Sequence, residues 1–309
     1  MIVKSIMAQK QTIRAWIGAI RLRTLPLALA SILMGSFMAA SDHQYDGWVL
    51  LLAGLTTIFL QILSNLANDY GDSIHGADHI DRGGPKRAVQ MGLIKPNEMR
   101  IGIWVTSIMA FLLGTVLLIH VFTSLNAMMA VFLFLGIGAI FAAIGYTIGK
   151  KPYGYAGLGD LFVLLFFGLV GVLGTYYLHT KQLHWQQLLP ALSTGFFATA
   201  VLNVNNIRDI DSDRRAGKKS IPVRIGRQIS LYYQVFLLAG ALLTATIYMS
   251  FHFQRFYQFT FLMTIPLFYQ NIVDIRNKKT PELLDPSLKK LSLSILLFTI
   301  LFGLGLIIP

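Results

Sequence analysis

The sequence contains no cysteine, and only 13% of its 309 residues are charged. Without cysteine there are no disulfides, no thiolate metal site and no cysteine nucleophile, although compartment stays open. A soluble domain carries about a quarter charged residues, so the shortage of charge excludes an ordinary soluble fold. What fills the chain instead is apolar: 55% is hydrophobic and the mean hydropathy is +0.61. The start, MIVKSIMAQKQTIR, lacks a short apolar core followed by a small-residue cleavage site, so no removable signal peptide is expected. The apolar runs do not alternate in character, which argues against membrane strands. Low-complexity tracts and linkers are also missing, and residues 1–309 read as one integral-membrane domain.

A membrane-crossing helix needs about 20 apolar residues. Nine stretches qualify, at roughly 15–40, 47–68, 99–121, 124–148, 158–179, 185–207, 229–250, 255–273 and 289–308. The expected fold is therefore all-α and polytopic. Of the 26 Lys and Arg, 24 fall on one side of this arrangement, leaving Lys181 and Arg255 on the other. By the positive-inside rule the N-terminus and the long connections are cytoplasmic and the C-terminus is outside. The net charge of +12 is thereby read as topology, with no nucleic-acid partner. The outer connections are too short to build a site, whereas the two long inner ones suit a cap over the cytoplasmic mouth.

Those inner connections hold the acids. Asp69, Asp72, Asp78 and Asp81 follow the second span, and Asp209, Asp211 and Asp213 follow the sixth. Asp69 and Asp72 are three apart and Asp209 and Asp213 four apart, so each pair shares a helical face while Asp211 points elsewhere. Carboxylates at a membrane edge are costly and signal function by default. With no cysteine or clustered histidine nearby, they suit a hard cation such as Mg²⁺. Acid pairs, Mg²⁺ and many cations together suit a diphosphate, and a hydrocarbon-tailed diphosphate suits a membrane bundle. Asn65 and Asn68 precede the first pair as Asn203 and Asn206 precede the second, a faint internal echo compatible with an old duplication.

NDYGDSIHGADHIDR and NIRDIDSDRRAGKKSIPVRIG resemble the two Asp-rich motifs of the UbiA superfamily of intramembrane aromatic prenyltransferases. RLRTLPLALA and YTIGKKPYGYAGLGD resemble its branch acting on 1,4-dihydroxy-2-naphthoate in menaquinone synthesis, the MenA type. The resemblance implies nine helices around a central cavity and Mg²⁺-dependent transfer of a polyprenyl group from its diphosphate, with decarboxylation, giving demethylmenaquinone. It implies that Asn68, Asp69, Asp72, Asp209 and Asp213 are metal ligands, directly or through water. The family's first motif often has a third Asp where this chain has Gly76, which leaves Asp78 and Asp81 without an assigned role.

Beside these, Arg82, Lys86, Arg208, Arg214, Lys218 and Lys219 are candidate diphosphate contacts, each equally readable as a solvated charge. Lys151 stands out because its motif supplies almost no other charge. Tyr146, Tyr153 and Tyr155 suit stacking on the ring or on an allylic cation, or an interfacial belt. Arg23 suits the acceptor carboxylate or snorkelling to headgroups. Asp160 is a candidate base or supporting group, or a polar helix start. His120, His179, His184 and His252 are read as outer-surface residues, and His75 and His79 as loop-shaping. Other acceptors, such as 4-hydroxybenzoate or homogentisate, remain open. So does a secondary transporter with membrane-edge carboxylates, though that class favours mid-span charge and broken helices. The expected partners are the two substrates and the bilayer, with no obligate protein.

Overall fold

In hydrocarbon every backbone polar group needs an internal partner, so each long apolar run winds into a helix. The computed structural model describes residues 2–74 and 87–308 and shows no strand among them. The helices are Ile2–Ile20 (α1), Leu25–Ser41 (α2), Gly47–Ile74 (α3), Pro96–Val121 (α4) and Ala127–Gly145 (α5). Gly159–Val163 (α6), a π-helical segment Leu164–Leu173 and Gly174–Thr180 (α7) form one continuous span. Leu188–Arg208 (α8), Ile210–Arg215 (α9), Ile221–Phe251 (α10), Ile265–Asn277 (α11) and Pro281–Ile307 (α12) complete the chain. Asp78, Asp81, Arg82, Lys86, His75 and His79 lie outside the described residues.

The expected first span, 15–40, is broken. Pro26 has no N–H to give to the carbonyl four residues back, and it stands in the first turn of α2, where none is needed. The chain turns at Arg21, whose φ is 53°, and restarts through a 3₁₀ turn at Leu22–Thr24. The expected eighth span, 255–273, is likewise split into a 3₁₀ helix, Phe256–Thr264, and α11, which begins with Pro266 at its first turn. Among the described residues eight helices are long and apolar enough to cross a membrane. The stretch 256–277 is not among them; it carries Gln258, Gln270, Asn271 and Asp274.

Two halves surround the centre. α3 packs on α4 and α5, α8 packs on α10, and α12 lies against α2 and α8. The larger core joins α2, α8 and α10 to α12, with Phe197, Phe268 and Phe298 meeting ring against ring. Close helix crossings rely on small residues, as is usual in membranes. A Cβ on Gly168 would sit 2.7 Å from the Ala191 carbonyl oxygen, so α8 approaches the π-helical segment only because that position is glycine.

The echo between the acidic motifs has a structural counterpart. Asn65 Nδ2 donates to the Ile20 carbonyl at 2.8 Å and lies 3.0 Å from Thr24 Oγ1, bracing the break at Arg21. Asn203 Nδ2 donates to the Ser230 carbonyl at 3.1 Å and to Gln234 Oε1 at 2.9 Å, just past a second break at Gly226 (φ 78°). Each motif helix thus ties down an interrupted neighbour.

The end of α3 is held equally tightly. A Cβ on Gly71 would lie 2.5 Å from Thr147 Oγ1 and 2.7 Å from its Cβ. Overpacking of this kind costs about 1–3 kcal/mol. Gly71→Val is expected to lower the thermal midpoint of the detergent-purified protein and its activity. Gly18→Ala, where a Cβ meets nothing within 4 Å, should change neither; an unaffected Gly71→Val would show that the 147 turn is free to move.

Candidate active site

The last turns of α3 present Asn65, Asn68 and Asp72 along one face. Asp69 lies about 60° from Asp72 around the helix, at the edge of that face, and the chain at 88–89 covers it. Its carboxylate, 1% exposed, accepts the backbone N–H groups of Ala88 (3.1 Å) and Val89 (3.3 Å). Asp69 therefore anchors the returning chain, and it is not among the residues around the polar cavity described below.

Asp72 is equally buried but faces inward. Its Oδ1 accepts from the Tyr155 hydroxyl at 2.9 Å and from Lys218 Nζ at 3.0 Å, while Oδ2 pairs with Arg87. Arg87 also donates to the Asn68 carbonyl, fixing the loop to α3. Lys218 Nζ lies 3.4 Å from Asp213 Oδ1, so it bridges the two motifs. Asp209 is gripped by its neighbour: Arg208 Nε and Nη2 reach its two oxygens, each at 2.8 Å. Asp211, on the other face of α9, has a side chain 85% exposed and pairs with Arg214 at 3.8 Å.

Asn68, Asp72, Asp209 and Asp213 converge, with Asn205, Asn206, Arg21, Arg87, Tyr146 and Lys218, around a polar cavity of about 40 Å³. It adjoins an apolar cavity of about 410 Å³, within the usual range for ligand sites, and Arg21, Asn68, Tyr146 and Asn205 line both. The larger cavity runs between α2, α3, α5 and the π-helical segment to Leu118, Phe132 and Leu178 at the opposite end of the helices. Arg23 lines it near the polar end.

Arg23 and Arg208 share a partner absent from the sequence reading, Asp285 of α12. Arg208 Nη1 lies 2.7 Å from Asp285 Oδ1, and Arg23 pairs with Oδ2. Charges thus alternate from Arg23 through Asp285 and Arg208 to Asp209, linking the rim of the apolar cavity to the polar one. Arg208, with a side chain 3% exposed, is fully committed to Asp209, Asp285 and Asn205. It thereby fixes the position of Asp209.

Tyr146 meets Tyr153 edge-on at 5.3 Å, and Tyr153 stacks on Phe162 at 4.0 Å, forming an aromatic wall between the cavities. Burial first, then the Asp213 carboxylate, pushes the Tyr146 hydroxyl above its ordinary pKa. Burial first, then Asp72, does the same to Tyr155, which therefore stays protonated and donating. Tyr155 lines neither cavity; it lies beneath Lys218, whose Nζ is 4.9 Å from the ring centre.

Four expected residues stand elsewhere. Lys151 is exposed on the 149–157 turn and lines neither cavity. Lys219 and Arg214 are exposed too. Asp160 is buried against α10, 3.2 Å from the Tyr233 hydroxyl, and also lines neither cavity. His120 and His179 sit at the far helix ends, with His120 2.8 Å from Asp46 Oδ2 and His179 3.0 Å from Ser36 Oγ. Arg87, Arg21, Asn205 and Asp285 had been missed. Asn205 adjoined a motif already recognised, whereas Asp285 lies 262 positions from Arg23 and carried no local signal.

Residues 28–306 match the model of the UbiA prenyltransferase family. The chain is 43% identical over 303 residues to a 1,4-dihydroxy-2-naphthoate octaprenyltransferase of Haemophilus influenzae, spanning 96% of this chain and 97% of that protein. It is 41% identical over 293 residues to the enzyme of the same description from Escherichia coli, spanning 95% of each. Its fold resembles a UbiA homolog from Archaeoglobus fulgidus bound to GPP and Mg²⁺, with TM-score 0.65, 14% identity, and coverage of 95% of this chain and 99% of that one. The apo UbiA homolog from Aeropyrum pernix gives TM-score 0.64 at 18% identity, covering 94% of this chain and 97% of that one. At such identities the structural likeness speaks for the fold.

Asp285→Asn is expected to lower the unfolding midpoint, since two arginines lose their shared carboxylate. Combined with Arg208→Ala the loss should be smaller than the sum of the single losses, a coupling of about 0.5–3 kcal/mol. Additive losses would show that the two residues act independently.

Proposed function

The chain belongs to the UbiA prenyltransferase family, and from that premise we propose that it transfers a polyprenyl group from its diphosphate to 1,4-dihydroxy-2-naphthoate in menaquinone biosynthesis. The observation that carries this reading is the junction of the two cavities. Oxygen donors and cations surround the small one, and it opens past Arg21, Asn68, Tyr146 and Asn205 into an apolar chamber. A diphosphate head and a hydrocarbon tail need that pairing of environments.

The donor set fits Mg²⁺. Carboxylates of Asp72, Asp209 and Asp213 and amides of Asn68, Asn205 and Asn206 supply hard oxygen, and Mg²⁺ asks for only one or two carboxylates beside water and phosphate. Asp72 and Asp213, with Asn68, would hold the ion, which when bound withdraws charge from the departing diphosphate.

The chain's residues do the rest. Lys218 and Arg87 offer positive charge to the diphosphate as the allylic C–O bond breaks and its electron pair leaves with the phosphate oxygen. The Tyr146 and Tyr153 faces stabilise the allylic cation, and the apolar walls around it exclude water. Arg23 keeps one Nη on Asp285 and presents its other donors to the acceptor carboxylate. The ring carbon that bears the carboxylate then forms its new C–C bond to the prenyl carbon. The carboxylate leaves as CO₂ with its bonding electrons returned to the ring, giving the quinol form of demethylmenaquinone. No base is required to take a ring proton, in keeping with Asp160 lying away from both cavities.

The eight long apolar helices make this a multi-pass membrane protein. The distribution of Lys and Arg supports an orientation in the cell inner membrane with the N-terminus and both Asp motifs cytoplasmic and the C-terminus outside.

Membranes containing the chain, given 1,4-dihydroxy-2-naphthoate and a long allylic diphosphate, are expected to form a prenylated naphthoquinol that a chelator suppresses. Prenylation of 4-hydroxybenzoate in its place would overturn the acceptor. Asp72→Asn or Asp213→Asn should lower kcat by about 100-fold or more, and near-normal turnover would remove that residue from the metal site. Arg23→Ala should raise KM for the naphthoate more than for the prenyl donor; equal effects would contradict its role. Lys151→Ala should leave the donor KM within about twofold, because the side chain stands outside both cavities.

A further inference from the structure

Lys218 occupies an unusual place between the two motifs. Its ammonium is shared by Asp72 (3.0 Å) and Asp213 (3.4 Å), one carboxylate from each half of the bundle. Its side chain is 13% exposed and lies over the Tyr155 ring. Arg87 takes the remaining oxygen of Asp72. Among the described residues, these two carboxylates thus face two cations.

We propose that Lys218 is a resident counter-ion that metal and diphosphate displace together, so that each binds weakly without the other. The inference rests on the Mg²⁺–diphosphate reading above and deepens it. A divalent cation arriving alone meets an ammonium and a guanidinium already beside the oxygens it needs. A diphosphate arriving alone finds the Lys218 donors committed and two carboxylates facing it. When both arrive, the carboxylates pass to the metal and Lys218 passes to the phosphate oxygens, an exchange of partners that keeps the cluster balanced. Lysine suits the task because its ammonium rides on a flexible four-carbon stem. Arg208, forked onto Asp209 and fixed by Asp285, cannot move in this way. Linkage then requires that the metal raise diphosphate affinity by the same factor by which diphosphate raises metal affinity.

The test uses the full chain purified in detergent, with Mg²⁺ alone, inorganic pyrophosphate alone and both together, read by calorimetry and thermal midpoint. In the unmodified protein, pyrophosphate is expected to tighten Mg²⁺ binding by about tenfold or more, and the reverse by the same factor. Lys218→Met should have a lower midpoint without ligands, which Mg²⁺ alone restores. It should also bind Mg²⁺ alone about tenfold more tightly than the unmodified protein, with the pyrophosphate enhancement largely gone. Lys218→Arg, which keeps the charge, should retain the enhancement. If Lys218→Met binds Mg²⁺ alone no better while the two ligands still reinforce one another, the counter-ion role is overturned and the diphosphate site stands. Should Lys218→Met fail to fold, the unmodified protein still decides: equal Mg²⁺ affinity with and without pyrophosphate overturns the proposal. If Mg²⁺ with pyrophosphate binds neither protein, the diphosphate reading falls and takes this inference with it.

Discussion

Two carboxylates held close together at the edge of an apolar bundle repel each other and lose hydration, and both penalties are large where water is scarce. The structure depends on how that cost is offset. Asp72 reaches the centre from α3 and Asp213 from α9, and Lys218, Arg87 and the Tyr155 hydroxyl meet them there. The loops that deliver these partners are tied to the helices by the same groups. Arg87 anchors on the Asn68 carbonyl, and the Lys219 backbone N–H donates to the Tyr155 carbonyl at 2.9 Å. At the polar end of the molecule Lys218, paired with Asp72 and Asp213, joins the two halves of the bundle.

From that assembly the rest follows in layers. The brace from Asn65 to the break at Arg21 and the brace from Asn203 beside the break at Gly226 hold both motif helices where their acids meet. The aromatic wall of Tyr146, Tyr153 and Phe162 separates charge from hydrocarbon. Beyond it the cavity is lined by small and apolar residues along α2, α5 and the π-helical segment, and π-helical turns often mark functional sites. Charge at one end and low polarity along the length is what a diphosphate leaving group and a carbocation each require.

Much of this was legible in the sequence, and the failures have physical causes. Composition and run length led to the all-helical membrane fold. Spacing singled out Asp72 and Asp213, and the family resemblance Asn68, which the structure places around one polar cavity. Spacing shows which residues share a face but not which face looks inward. Asp69 shares a face with Asp72 by spacing, and no periodicity reports that its carboxylate accepts the N–H groups of Ala88 and Val89. Lys151 drew notice as an isolated charge, yet its direction depends on a turn with Gly149 at φ 125° and Gly157 at φ 82°, which no periodicity reports. Arg87 was counted with the topology-setting charges although it closes the ion cluster. Asp285 was invisible because its partners come from α8 and from the break before α2, far away in the chain. The first span was read at 15–40 and falls within the apolar stretch Gln11–Ser41, but the left-handed turn at Arg21 inside it carries no periodic signal.

The central claim is that both motifs converge on one metal–diphosphate site opening into the apolar chamber. A structure of the protein with Mn²⁺ in place of Mg²⁺ and an unreactive allylic thiodiphosphate tests it most directly. The account predicts anomalous peaks between Asp72 and Asp213, the diphosphate against Lys218 and Arg87, and the hydrocarbon tail running past Tyr146 towards Phe132. Metal held by one motif alone, or a tail lying outside that chamber, would contradict it.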